Sequence, residues 1–323
     1  MSPTAFPSFF GLKLLGILAL VSGSIHADGD TTALGVTDVF NVKTGTDKGG
    51  CDAYDVDQWY QDALYLAKGV EKALMAAQNA DQDDEIRRYL YTYFRIGPTD
   101  NSNFVKMKKK KWTDEALIEN TGVPDPDGMK IKQRYPDEFK ECVTDRAKAR
   151  KDQPKSVQAT LPKNFVPFWM EDLKQYRYAE TGNYCSKGRG AKNKNYAGTD
   201  DNMQPNVITF CPQNWKDGSY KKLDDLPEVT KEGVSIGKLK VEGLTLLHEM
   251  FHFSLLNEYT PDTAYTVGQI AGNEKLDTGD FITQEKALKN PESWAVFALA
   301  WDLGLKNPDY TFSNTMSKLL KKD

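Results

Sequence analysis

The chain has 323 residues, with 42 Lys and Arg against 46 Asp and Glu, and a formal net charge of −4. That balance carries no basic footprint for nucleic acid, and the length fits one large domain or two small ones. No segment after the N-terminus reads as a bilayer-spanning helix, so no membrane span is expected.

The N-terminus holds Leu14 to Val21 without a charge, preceded by Lys13 and followed by Ser22, Gly23, Ser24, Ile25, His26 and Ala27. This apolar run is too short to cross a bilayer and ends in small residues, so residues 1–27 are expected to be a signal peptide and the mature chain to be secreted and extracellular. Residues 28–50 are rich in Gly, Thr and Asp and are expected to be a mobile segment or a short propeptide remnant, leaving 51–323 as the folded domain. No Asn-x-Ser/Thr acceptor occurs.

Within 57–80, Tyr60, Ala63, Leu64, Ala67, Val70 and Leu74 recur at helical spacing, and Ile86, Leu90, Tyr93 and Phe94 continue in a second helix. Lys106 and the run Lys108 to Lys111 read as a solvated face. Residues 120–165 alternate Pro, Asp and Lys around a short amphipathic helix expected near Phe139 to Ala147. Val207-Ile208-Thr209-Phe210 has strand composition and reads as an edge strand. Asn290-Pro291-Glu292 starts a helix, with Asn as cap and Pro at the first position, and Trp294, Phe297, Ala298 and Trp301 mark its buried face.

The chain has three histidines. His26 falls in the leader, and the other two stand in His248-Glu249-Met250-Phe251-His252. On a helix this H-E-x-x-H spacing sets two imidazoles one turn apart on one face, where both can ligate one Zn²⁺. The carboxylate between them is placed to take a proton from a water at the metal. Leu244, Leu246, Leu247, Met250, Phe251, Phe253 and Leu255 make that helix apolar nearly all round, hence buried. Two histidines and a glutamate there are costly to desolvate without a strong partner, which a metal supplies.

A catalytic zinc usually takes three protein ligands, and with no further histidine the third is expected to be a carboxylate. Three follow: Glu258, Asp262 and Glu274. Pro261 ends the helix and starts a turn, which favours Asp262 modestly over the other two.

These residues resemble the deuterolysin-like aspzincin zinc metalloendopeptidases, which include fungal peptidyl-lysine metalloendopeptidases. That family follows H-E-x-x-H with G-T-x-D-x-x-Y-G, and Thr260, Asp262 and Tyr265 stand at the matching positions, with Tyr259 and Thr266 in place of the glycines. The likeness spans roughly residues 180–300. It implies one Zn²⁺ per chain held by His248, His252 and Asp262, with Glu249 as the catalytic base and Tyr265 as oxyanion donor. It also implies that Glu292 belongs to an acidic pocket for a lysine after the cut; plain pairing with the helix dipole is the other reading of Glu292.

The four cysteines are Cys51, Cys142, Cys185 and Cys211, an even count that suggests two disulfides in a secreted chain. Resemblance and proximity favour Cys185–Cys211, leaving Cys51–Cys142. The expected fold is therefore α+β and predominantly helical, a zincin-like catalytic domain over 51–323 with the H-E-x-x-H helix and a small sheet. The expected function is a secreted metalloendopeptidase acting on protein or peptide substrates. The alternatives are a secreted, non-proteolytic zinc-binding or interaction protein, and a metzincin- or gluzincin-like enzyme using Glu258 or Glu274.

Overall fold

The computed structural model describes residues 34–45, 50–79, 85–96, 116–120, 136–151, 155, 167–170, 175–178, 185, 195–201, 206–215 and 220–320. The expected leader over 1–27 and the lysine run at 106–111 lie outside these residues. The architecture is mixed, with about half the structure helical and the strands gathered into small sheets, an α+β fold. Among the described residues, no helix is long and apolar enough to cross a membrane.

Three helices form the centre: α1 (Val56–Asn79), α4 (Glu242–Leu255) and α7 (Pro291–Lys306), each packed against the other two. Between them in sequence lie α2 (Glu85–Phe94), α3 (Pro136–Lys151), α5 (Val267–Ile270) and α6 (Gln284–Lys289). Helices α1 and α2 follow the predicted periodicity; Tyr60, Ala63 and Ala67 are buried from α1, and Ile86, Leu90, Tyr93 and Phe94 from α2. Aromatic rings fill the helix junctions: Phe94 lies 4.2 Å from Trp294 and 5.1 Å from Phe297, and Phe251 of α4 stacks on Trp294 at 5.9 Å.

Strands β3 (Pro167–Met170) and β4 (Gln175–Tyr178) pair antiparallel in a sheet of their own, and the main sheet has four strands in the order β1 (Phe40–Val42), β2 (Ala116–Asn120), β6 (Val207–Phe210) and β5 (Ala197–Asp200). The pairs β1–β2 and β2–β6 are parallel, whereas β5 runs antiparallel to β6, with Thr199 opposite Ile208. Val207–Phe210 is thus an inner strand and Ala197–Asp200 the edge, which corrects the expectation for Val207–Phe210. The buried Val207, Ile208 and Phe210 suit a strand covered on both sides. Part of 28–50, expected to be mobile, is built into this sheet: β1 belongs to it, and Phe40 is 3% exposed against Tyr60 and Phe253.

The Cys185–Cys211 disulfide is present, with both residues fully buried and Cα atoms 5.4 Å apart. It anchors the chain ahead of β5 to the end of β6, and the Asn214 amide reinforces the join by donating to the Cys185 and Asn195 carbonyls at 2.6 Å each. Cys51 is buried; the expected partner side chain, Cys142, lies outside the described residues.

Helices α1 and α4 approach so closely at Gly243 that a Cβ there would lie 2.5 Å from Asp62 Cβ and 3.0 Å from the Trp59 carbonyl oxygen. Asp62 cannot easily retreat, because its carboxylate accepts from Leu223 N at 3.0 Å and Gln58 Nε2 at 2.7 Å. Alanine normally improves a helix over glycine by ~1 kcal/mol, yet overpacking here reverses the sign. Gly243→Ala is expected to destabilise the fold by ~1–3 kcal/mol, read as a lowered urea midpoint; an unchanged or raised midpoint would contradict this close approach.

Candidate metal centre

The α4 helix carries His248, Glu249 and His252, at 9%, 5% and 4% exposure. It is buried through Leu246, Leu247, Met250, Phe251, Phe253 and Leu255, as its composition predicts. The helix stops at Leu256, whose φ of 68° and ψ of 146° belong to a region that is essentially glycine's. This residue turns the chain back. Its carbonyl accepts from Tyr259 N, Thr260 N and the Thr260 hydroxyl at 3.1, 3.2 and 2.9 Å, and the returning segment delivers Asp262 to the histidines.

His248 Nε2, His252 Nε2 and Asp262 Oδ1 form a near-equilateral triangle, with edges of 3.2 Å between the rings, 3.1 Å from His248 to Asp262 and 3.2 Å from His252 to Asp262. Ligand atoms ~2.0–2.2 Å from a tetrahedral zinc stand ~3.3–3.6 Å apart, so the trio is only slightly contracted from what a metal requires. The two histidines are buried while Asp262 reaches solvent, which gives the centre an open side.

The outer ring nitrogens decide how the inner ones are used. His248 Nδ1 lies 2.9 Å from Glu292 Oε2, a carboxylate that only accepts. His252 Nδ1 lies 3.1 Å from Thr260 Oγ1, whose own proton goes to the Leu256 carbonyl, so this hydroxyl accepts too. Both rings therefore carry their protons on Nδ1 and turn Nε2 lone pairs towards each other and towards the Asp262 carboxylate. Three acceptors at that separation require a positive charge among them, which is a metal ion or, in the metal-free chain, a proton on His248 Nε2 facing Asp262. This pairing of a ligand imidazole with an outer acceptor is the usual way a metal-binding histidine is oriented. His248, His252 and Asp262 can hold a metal ion.

The electrostatics agree. Burial works against a charged His248, but Asp262, Glu292 and Glu249 outweigh it and hold its pKa well above the ordinary value. Burial also works against an ionised Asp262, and the two histidines overcome it, keeping that carboxyl well below the usual range. Glu249 is shifted the other way: burial raises it, while the histidines and a hydrogen bond from Thr199 act to lower it.

The structure thus brings together His248, His252, Asp262, Glu249 and Glu292. Glu258 is exposed at the helix end, and Glu274 accepts from the Thr266 hydroxyl at 2.8 Å, so neither joins the trio. Tyr265 is 56% exposed in the loop after Asp262, its backbone N–H on Gln269 Oε1 at 3.0 Å.

Two participants had no role in the sequence reading. Thr199, on edge strand β5, has its hydroxyl 2.9 Å from Glu249 Oε2 and 3.1 Å from the Glu249 carbonyl oxygen; nothing in Ala197-Gly198-Thr199-Asp200 marks it. Thr260 was a motif match without a task, and the one available signal was its place two residues before Asp262. No family model, curated protein or solved structure matches the chain.

Proposed function

We propose that the protein is a secreted zinc metalloendopeptidase of aspzincin type on a zincin-like α+β domain. The observation that carries this reading is the triangle of His248 Nε2, His252 Nε2 and Asp262 Oδ1 with both outer Nδ1 atoms already donated to acceptors. Two imidazole nitrogens and one carboxylate oxygen form a donor set suited to zinc, with room for a further ligand. A zinc ion there supplies Lewis acidity towards a water and a peptide carbonyl.

The chain's own groups supply the rest. Glu249 is the base: it takes the proton of the attacking water and passes it to the leaving amine. Burial raises its pKa, which suits a carboxylate that must hold that proton between the two steps. Thr199 holds one of its oxygens and leaves the other for proton transfer. Tyr265, half exposed in the loop beside the ligand Asp262, is the donor for the developing oxyanion.

Glu292 gives one oxygen to His248 while its side chain stays 31% exposed. That leaves the carboxylate within reach of a cationic substrate side chain and supports a preference for lysine after the cut. The buried Cys185–Cys211 bridge supports maturation in an oxidising compartment.

The test is metal content and peptide-library cleavage of the purified protein, with and without chelator. One zinc per chain with chelator-sensitive cleavage is expected. Zinc without cleavage would replace the peptidase with a zinc-binding protein, and cleavage indifferent to chelator would remove the metal from the reaction.

A further inference from the structure

Asn290 is read from sequence as a helix cap, and it does occupy the N-cap position of α7, but its side chain makes no capping bond to that helix. The amide faces the Asp262 loop instead. Oδ1 accepts from Thr263 N at 3.0 Å and Ala264 N at 3.1 Å, and Nδ2 donates to the Ala264 carbonyl at 3.1 Å and the Ser293 hydroxyl at 2.9 Å. An asparagine amide has two acceptor sites and two donor hydrogens, and all four are used here at 0% exposure.

We infer that Asn290 is a positioning residue for the metal ligand Asp262, an assignment that rests on the metal reading above. Asp262 directly precedes the two backbone N–H groups that Asn290 holds. The near side of the loop is fixed separately, where Thr260 N and its hydroxyl reach the Leu256 carbonyl. Asn290 closes the far side, so the ligand is clamped between two anchors. Two residues further on, Glu292 orients His248. The three-residue stretch Asn290–Glu292 therefore aligns two of the three ligands from one rigid helix start, and Asn290 does so through Asp262's backbone without touching the ion itself.

A purely structural asparagine would lower the stability of the metal-free and loaded chains alike and leave the folded site's affinity unchanged. A positioning residue changes the site. The experiment measures zinc affinity of the full chain by competition with a chromophoric chelator, and the visible absorption of the cobalt(II)-loaded chain. For Asn290→Ala the expected result is a ~10–100-fold loss of zinc affinity, the usual effect of removing an outer partner of a ligand, with a displaced or weakened cobalt band. Ser293→Ala, which removes one of the two Nδ2 bonds that hold the amide in place while leaving the Ala264 contact, is expected to move both readouts less and in the same direction, and serves if the first variant fails to fold. Wild-type affinity and an unchanged cobalt spectrum in the folded variant overturn the assignment. A wild-type chain that takes up neither ion overturns the metal reading itself, a result distinguishable from the first because the unaltered protein already shows it.

Discussion

Glu249→Gln is expected to retain a full complement of zinc and lose hydrolysis by ~10²–10⁴-fold, the range attributed to a positioned general base. The substitution is nearly isosteric. Glutamine's carbonyl oxygen can still accept from the Thr199 hydroxyl that now stands 2.9 Å from Glu249 Oε2, so the buried helix has little reason to shift. Only the capacity to take a proton disappears. Equal zinc content together with wild-type turnover of a peptide substrate would sink the proposed mechanism, whereas loss of both zinc and turnover would place Glu249 in the architecture of the site instead.

The second large effect is on the ligand trio. Asp262→Ala removes the anion that lies 3.1 Å from His248 Nε2 and 3.2 Å from His252 Nε2. Outer partners of ligands cost ~10–100-fold in metal affinity when removed, and loss of the ligand itself is expected to exceed that range. Glu258→Ala and Glu274→Ala are the controls. One carboxylate is exposed beyond the helix and the other is engaged by Thr266, so both variants are expected to bind zinc as the wild type does. Equilibrium dialysis separates the cases: zinc retained by Asp262→Ala and lost by Glu258→Ala would point to a different third ligand and a different loop geometry.

What the sequence made legible was what neighbouring residues encode. The one-turn spacing of His248 and His252 follows from helix geometry, the long helices follow from their apolar period, and the Cys185–Cys211 pairing follows from the family likeness and short separation; all are present. Contacts between distant segments were hidden. Thr199 meets Glu249 only because β5 is placed antiparallel against β6 beside α4, and a four-residue strand does not announce which edge it will occupy. The same long-range pairing moved Val207–Phe210 from the edge to the interior. Asn290 looked complete as a cap because cap signals are local, while three of its four side-chain hydrogen bonds go to residues 26 and 27 positions earlier. Leu256 gives no warning either, since its left-handed backbone is set by the carbonyl that gathers Tyr259 and Thr260.

The triangle of lone pairs has a thermodynamic corollary. In the metal-free chain a proton takes the cation's place, kept on His248 by the carboxylates of Asp262 and Glu292 despite burial. Metal entry is therefore an exchange: the ion arrives and the proton leaves for solvent. Loading then acidifies its surroundings, and affinity climbs with pH until that proton is no longer bound.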